Sequence, residues 1–265
     1  MKKLFVVLLS IFTVLACTGT GINKDMDMKV IAHRGGASLG PENTIRCIRN
    51  GILTGAYAIE VDVHLSADCA LIVCHDETID RTTYGSGRIE ELTLEQIKGT
   101  ILRKGDAFDQ IPTLEEVLVE VKDKCILLLE IKKSREGQYP GIEEKIVSLI
   151  DRYGMRDQVI VQSFNDSVLE TFHSIAPDIP LEKLLVCRLP FGLAYDIKLH
   201  RFSIDDYPYV NSFNSFNALT TKRFIRDVHE SGKTVRVWTV DKPTRVKKGA
   251  DAVITNCPQL FLNKK

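Results

Sequence analysis

Short runs of β-branched and aliphatic residues return eight times along this chain, and most gaps between them carry a helical pattern. The runs are Lys29–His33, Ala58–Val63, Ile126–Ile131, Val159–Ser163, Leu184–Cys187, Tyr209–Ser212, Val235–Val240 and Ala252–Thr255. Between them, Ile142–Tyr153 sets Ile142, Ile146, Leu149 and Ile150 on one helix face, and Thr220–Ser231 does the same with Phe224, Ile225 and Val228. Strands that alternate with helices pair in parallel through right-handed crossovers. Eight units predict an α/β protein closed into an eight-stranded β/α barrel. An open doubly wound sheet would have fewer strands and a glycine-rich phosphate loop after the first.

One segment breaks the alternation. Ala70-Leu71-Ile72-Val73-Cys74 follows Asp62 too closely for an intervening helix and is separated from it by the turn-like Ser66-Ala67-Asp68, which predicts a hairpin returning from strand two. From His75 to Asp109 the chain is polar and rich in Gly and Thr, with a short helix expected at Thr93–Lys98. The expectation is a small inserted subdomain after strand two, about residues 65–110, over the barrel mouth. Thr113 then caps a new helix whose first turn holds Glu115 and Glu116.

The N-terminus belongs to a different kind of segment. Met1-Lys2-Lys3, an apolar run from Leu4 to Leu15 and Ala16-Cys17 form an n-region, an h-region and a small-residue cleavage site. A run of about a dozen apolar residues is short of the roughly 20 that span a bilayer. Residues 1–17 are therefore expected to be a signal peptide of lipoprotein type, because Val14-Leu15-Ala16-Cys17 resembles a lipobox. Cys17 would carry a lipid anchor, residues 18–28 would be a polar tether, and residues 29–265 would be the barrel. The protein would then be exported, either as a bacterial envelope lipoprotein or, with plain secretory cleavage, as a periplasmic protein.

Composition narrows the partners. The 265 residues are 44% hydrophobic and 26% charged, as in a soluble globular domain, and 35 basic side chains balance 35 acidic ones. That balance argues against nucleic acid as a partner. Six cysteines follow Cys17, at 47, 69, 74, 125, 187 and 257; they sit singly in apolar segments rather than in zinc-site spacings, so buried free thiols are expected.

Polar groups concentrate where the first strands end. On a strand, Glu60, Asp62 and His64 share one face and Ile59, Val61 and Val63 the other. Two carboxylates on one face repel unless a cation lies between them, and all-oxygen ligands favour Mg²⁺ or Ca²⁺. Glu130, closing the run Ile126–Leu129, would add a third oxygen, although an ion pair with Lys132 is the simpler role for it. His64 lies beyond the expected strand end and is left out of the ligand set. His173, His200 and His229 have no acidic cluster beside them in sequence and are expected at the surface. His33, beside Arg34, and His75, beside Asp76, each end a strand among other functional groups. Phosphodiester cleavage needs a base, an acid and positive charge on the phosphoryl oxygens, and His33, His75, a cation, Arg34 and Lys132 supply them.

From about Val30 to Pro258 the chain resembles the glycerophosphodiester phosphodiesterase family. The resemblance is carried by Ala32-His33-Arg34-Gly35-Gly36, Pro41-Glu42-Asn43-Thr44, Glu60-Val61-Asp62-Val63, Val73-Cys74-His75-Asp76, Arg81-Thr82-Thr83, Ile111–Glu116, Leu129-Glu130-Ile131-Lys132, Gln162-Ser163-Phe164 and Val237-Trp238-Thr239-Val240. It implies a TIM barrel with a small insertion and metal-dependent hydrolysis of glycerophosphodiesters to glycerol 3-phosphate and an alcohol. It also implies that Glu60, Asp62 and Glu130 hold one divalent cation, His33 and His75 are the catalytic pair, Arg34 and Lys132 bind phosphate, and Trp238 lines the pocket. Glu42 would lie behind the metal or orient a substrate hydroxyl, and the route would pass through a cyclic phosphate.

Late in the chain two positions depart from the family pattern: Asp241 stands where Asn is common and Asn256 where Asp is usual; Ser66, where Thr is frequent, is a minor third. The first two are expected to adjust hydrogen bonding at the barrel end without touching the ion or the histidines. Related barrels act on lysophospholipids, with phospholipase-D-like cleavage, or on inositol phospholipids. Such action would want an apolar patch at the mouth, for which Leu189-Pro190-Phe191-Gly192-Leu193 is the candidate.

Overall fold

The computed structural model describes residues 28–104, 109–188, 194–195 and 201–262, with backbone only at residues 187–188, 194–195 and 201–202. The expected signal peptide, Cys17 and its tether up to residue 27, His200 and the Leu189–Leu193 segment all lie outside the described residues.

Twelve strands are described. They are β1 (Lys29–Ala32), β2 (Ala58–Leu65), β3 (Leu71–Val73), β4 (Ile126–Ile131), β5 (Val159–Ser163), β6 (Leu181–Leu185), β7 (Cys187–Arg188), β8 (Ala194–Tyr195), β9 (Arg201–Phe202), β10 (Ser212–Phe216), β11 (Thr234–Trp238) and β12 (Ala252–Thr255). The helices are α1 (Ile45–Leu53), α2 (Leu94–Lys98), α3 (Leu114–Val121), α4 (Ile142–Tyr153), α5 (Asp166–Ile175), α6 (Lys222–Glu230) and α7 (Gln259–Leu262). Strands β1, β12, β11, β10, β6, β5, β4 and β2 pair in that order, and β1 pairs again with β2, which closes the eight-stranded parallel barrel. β3 returns antiparallel along β2 as the spacing predicted. β7, β8 and β9 make a separate small antiparallel sheet.

Strand alternation divides the core into two shells. Ile59, Val61, Leu127, Leu129 and Val161 belong to the large cluster packed with the helices, including Leu118, Ile146 and Phe172. Ile31, Ala58, Leu128, Ile160, Ala252 and Ile254 form a second cluster from the alternate positions, which fills the lower barrel interior. The insertion carries a third core of its own, with Ile72, Ile79, Ile89 and Ile97 fully buried. Its helix α2 starts with a capping box between Thr93 and Gln96, and Thr113 with Glu116 repeats the device at α3.

Two strands sit off the positions predicted from apolar runs. β6 covers Leu181–Leu185 rather than Leu184–Cys187, and β10 covers Ser212–Phe216 rather than Tyr209–Ser212. Both carry buried polar side chains, Glu182 and Lys183 on one and Ser212 and Asn214 on the other, so a search for apolar residues slides off them. The thiols resolved to side-chain level are free, with Cys47 and Cys74 buried. Burial pushes both up to about 12. Cys69 corrects the expectation of burial, because it is exposed beside the hairpin turn at a left-handed φ of 62°.

Candidate active site

The upper positions of β2 and β4 place three carboxylates together. Asp62 lies in register with Glu130. One oxygen each of Glu60, Asp62 and Glu130 falls within 4.8 Å of the others, and all three residues are buried. Like charges about 4 Å apart repel by about 4 kcal/mol at an effective dielectric of about 20. One ammonium answers part of this: Lys132 Nζ is 2.8 Å from Asp62 Oδ1 and 2.5 Å from Glu130 Oε1. Glu130 therefore both pairs with Lys132 and belongs to the acidic cluster. Burial, with Asp62 and Glu130 alongside, holds the Glu60 carboxyl well above its ordinary value. Burial also raises Glu130. At Asp62 burial works in the same direction, but Lys132, His75 and Arg34 outweigh it and the carboxyl is held low. Three buried acidic groups against one ammonium leave excess negative charge on oxygen donors only, which fits a hard divalent cation.

The ends of β1 and β3 bring in the histidines. After β1 the chain turns through His33-Arg34-Gly35-Gly36, with Arg34, Gly35 and Gly36 at positive φ. A Cβ on Gly51 of α1 would lie 2.3 Å from the Gly35 carbonyl oxygen, so glycine there lets the helix press against this turn. The tight turn aims the Arg34 backbone N–H at Glu60 Oε2, 2.8 Å away. His33 Nδ1 meets Asn256 Oδ1 at 2.7 Å, and its Nε2 lies 4.0 Å from Glu60 Oε2. Burial, then Arg34, lowers the His33 pKa to about 4. His75 is less enclosed and pairs through Nδ1 with Asp76 Oδ1 at 2.7 Å.

A run of ion pairs joins these two ends. Arg34 Nη1 donates to Glu42 Oε1 at 2.9 Å, and Arg81 grips Glu42 with two nitrogens at 2.9 and 2.6 Å. Arg81 Nε also donates to Asp76 Oδ2 at 2.5 Å. Against the effect of burial, Arg81 and Arg34 hold the Glu42 carboxyl low. Arg34 Nε is buried and has no hydrogen-bond partner among the described residues, so one donor remains beside the triad. Across the mouth, Trp238 is half-buried at the end of β11, edge-on to Phe164 at 5.8 Å and tilted against Phe216 at 5.4 Å. Its indole N–H donates to the Asn214 carbonyl at 2.9 Å.

The structure thus brings Glu60, Asp62, Glu130, Lys132, Arg34, Glu42, His33 and His75 into one connected constellation, with Trp238 on the opposite rim. His64 stays outside it as a ligand. It is buried, with Nδ1 2.9 Å from the Tyr139 hydroxyl and Nε2 3.4 Å from the His75 carbonyl, and burial followed by Lys132 lowers it to about 4. His229 is exposed at the surface, as expected, with Nε2 2.8 Å from Asp251 Oδ2.

Sequence reasoning missed several members. Asn43, at a left-handed φ of 58°, donates to Asp62 Oδ2 at 2.9 Å. Arg81 comes from the insertion and ties Glu42 to Asp76. Gln162 Nε2 lies 3.4 Å from Glu60 Oε1. Asn43, Arg81 and Gln162 stood inside quoted motifs, and that was the signal that could have found them. The expectation for Asn256 needs correction: it touches His33 directly, because β12 is the barrel neighbour of β1 and delivers its last residues beside the His33 turn.

A closed parallel barrel with a buried acidic triad, two histidines and phosphate-sized positive groups at the carboxyl ends of its strands is built as a phosphodiesterase barrel. Comparison with known proteins specifies which one. The chain belongs to the glycerophosphoryl diester phosphodiesterase family, whose match covers residues 33–260. It is 36% identical over 248 residues to a glycerophosphodiester phosphodiesterase of Caldanaerobacter subterraneus subsp. tengcongensis, spanning 90% of this chain and 98% of that one. A Bacillus altitudinis protein of the same name is 32% identical over 246 residues, 87% of this chain and 95% of that one. A solved glycerophosphodiester phosphodiesterase from Parabacteroides distasonis superposes with a TM-score of 0.71 at 26% identity, covering 88% of this chain and 94% of its own. Family membership makes the chain an enzyme, a phosphoric diester hydrolase.

Proposed function

We propose that this enzyme hydrolyses glycerophosphodiesters to glycerol 3-phosphate and an alcohol, using one divalent cation, Ca²⁺ or Mg²⁺, and the two histidines as its acid–base pair. The observation that carries this reading is the Glu60–Asp62–Glu130 cluster, whose oxygens lie within 4.8 Å of one another in a family that cleaves glycerophosphodiesters. The residues fit such an ion: three buried carboxylates, no sulfur or nitrogen donor among them, and too little positive charge nearby to balance them. When bound, the ion would stabilise negative charge on the phosphoryl oxygens.

The protein groups supply the rest. Arg34, whose Nε has no partner among the described residues, and Lys132 bind the phosphate oxygens. One histidine takes the proton of the glycerol 2-hydroxyl as it attacks phosphorus, and the other gives a proton to the departing head-group alkoxide. The product of that step is a cyclic phosphate, which water opens with the roles reversed. Glu42 holds Arg34 and Arg81 in place, and Trp238 forms an apolar wall for the glycerol. The N-terminal pattern ending at Cys17 supports an exported enzyme anchored to the membrane by lipid or released to the periplasm.

The test is release of glycerol 3-phosphate from glycerophospho-choline, -ethanolamine, -glycerol and -inositol, with EDTA and with Ca²⁺ or Mg²⁺ restored. Release abolished by EDTA and recovered with one ion is expected. No release from any of the four by folded, ion-supplied enzyme would overturn the substrate reading and turn attention to lysophospholipids and inositol phospholipids.

A further inference from the structure

We propose that Asp241 and Asn256 act as a positioning relay that fixes the ring orientation and tautomer of His33, with hydrogen on Nδ1 and Nε2 turned toward the acidic cluster. The inference rests on the reading of His33 as one of the acid–base pair.

The relay follows from which groups can donate. Asp241 Oδ1 accepts from the Asn256 backbone N–H at 2.8 Å and from the Thr255 hydroxyl at 3.2 Å, and Asp241 Oδ2 accepts from Asn256 Nδ2 at 3.0 Å. An ionised carboxylate only accepts, so Asn256 must turn its amide NH₂ toward Asp241. Its Oδ1 then faces His33 Nδ1 at 2.7 Å as a pure acceptor. Nδ1 therefore carries a hydrogen whatever the charge on the ring, and in the neutral ring Nε2 holds the lone pair. That nitrogen is the one 4.0 Å from Glu60 Oε2.

The two histidines differ in which group is in direct contact with Nδ1. Here the amide touches the imidazole and the negative charge stands one residue behind it. His75 has the opposite arrangement, with the Asp76 carboxylate directly on Nδ1. The chain thus gives its two histidines different partners: a neutral acceptor for the enclosed one and a charged acceptor for the open one.

Three variants test this: Asn256→Leu, which keeps the volume and removes the acceptor; Asp241→Asn, which frees the Asn256 amide to flip; and the exchanged pair Asp241→Asn with Asn256→Asp, which restores a single donor order. Asn256→Leu is expected to lower kcat by about tenfold or more with KM within about twofold, part of the 10²- to 10⁴-fold that acid–base groups contribute. Asp241→Asn is expected to fall between it and the wild type, and the exchanged pair to recover most of the loss. ¹⁵N NMR of the imidazoles should show His33 protonated on Nδ1 in the wild type and mixed in Asp241→Asn. Wild-type kcat in Asn256→Leu, or an Nε2–H tautomer in the wild type, would overturn the relay. A wild type without turnover would instead overturn the functional reading, and the NMR result would still decide the relay.

Discussion

The two halves of the barrel interior bury charge in opposite ways. On the side of β1, β2 and β4, Glu60, Asp62 and Glu130 crowd around the single ammonium of Lys132, leaving negative charge uncompensated. On the side of β6, β10 and β11, Glu182 pairs with Arg236, and Asn214 donates to Glu182 Oε2 at 2.7 Å and to Gln162 Oε1 at 2.7 Å. The rear half closes its own charge balance and becomes structure; the front half does not, and an unbalanced buried cluster invites an ion. Gln162 joins them, because Asn214 occupies its carbonyl oxygen and leaves its NH₂ to face Glu60.

The sharpest way to break this comparison is to neutralise the front. Asp62→Asn keeps the shape and removes one of the two carboxylates paired with Lys132; turnover is expected to fall by about 10³-fold or more, measured as glycerol 3-phosphate release. His75→Ala should cost about 10²- to 10⁴-fold in kcat with the fold intact by circular dichroism. Neutralising one member of the rear pair should cost stability rather than rate. Arg236→Met strands Glu182, so denaturant unfolding should show a loss of about 3–5 kcal/mol. Glu182→Leu with Arg236→Met should recover much of it, and kcat of the folded protein should stay within a few-fold. A rear variant that kept its stability and lost its rate would erase the distinction. The smallest effect on the front belongs to the joint: toward Glu60, Gln162→Met removes only a long, weak contact, while its 2.7 Å bond from Asn214 is lost on the rear side, and cation affinity should fall by only a few-fold, near the lower bound of about 0.5–1.5 kcal/mol for one hydrogen bond.

The same division decided what could be read from the sequence. β2 reads plainly because Ile59, Val61 and Val63 give it an apolar face while Glu60 and Asp62 interrupt the other, so both the strand and its chemistry are visible in eight letters. β6 and β10 hide, since Glu182, Asn214 and Ser212 turn inward and Lys183 is buried on the other face, against the Phe164 carbonyl and Asp166. Polar residues on both faces of a strand erase the period on which a strand assignment rests. Asn256 and Asp241 stand out in the sequence as departures, yet the contact of Asn256 with His33 spans 223 positions and depends on β12 closing the barrel against β1. Arg81 was likewise visible as a motif, but only the folded insertion carries it to Glu42 and Asp76.

The central claim is that the unbalanced front carboxylates are a cation site. Titration calorimetry of the apo-enzyme with Ca²⁺ and with Mg²⁺, beside Glu130→Gln, tests it without reference to substrate. One site per chain in the wild type for at least one of the ions, weakened by tenfold or more in Glu130→Gln, is the predicted result. No binding of either ion by the wild type, or equal binding in Glu130→Gln, would contradict it.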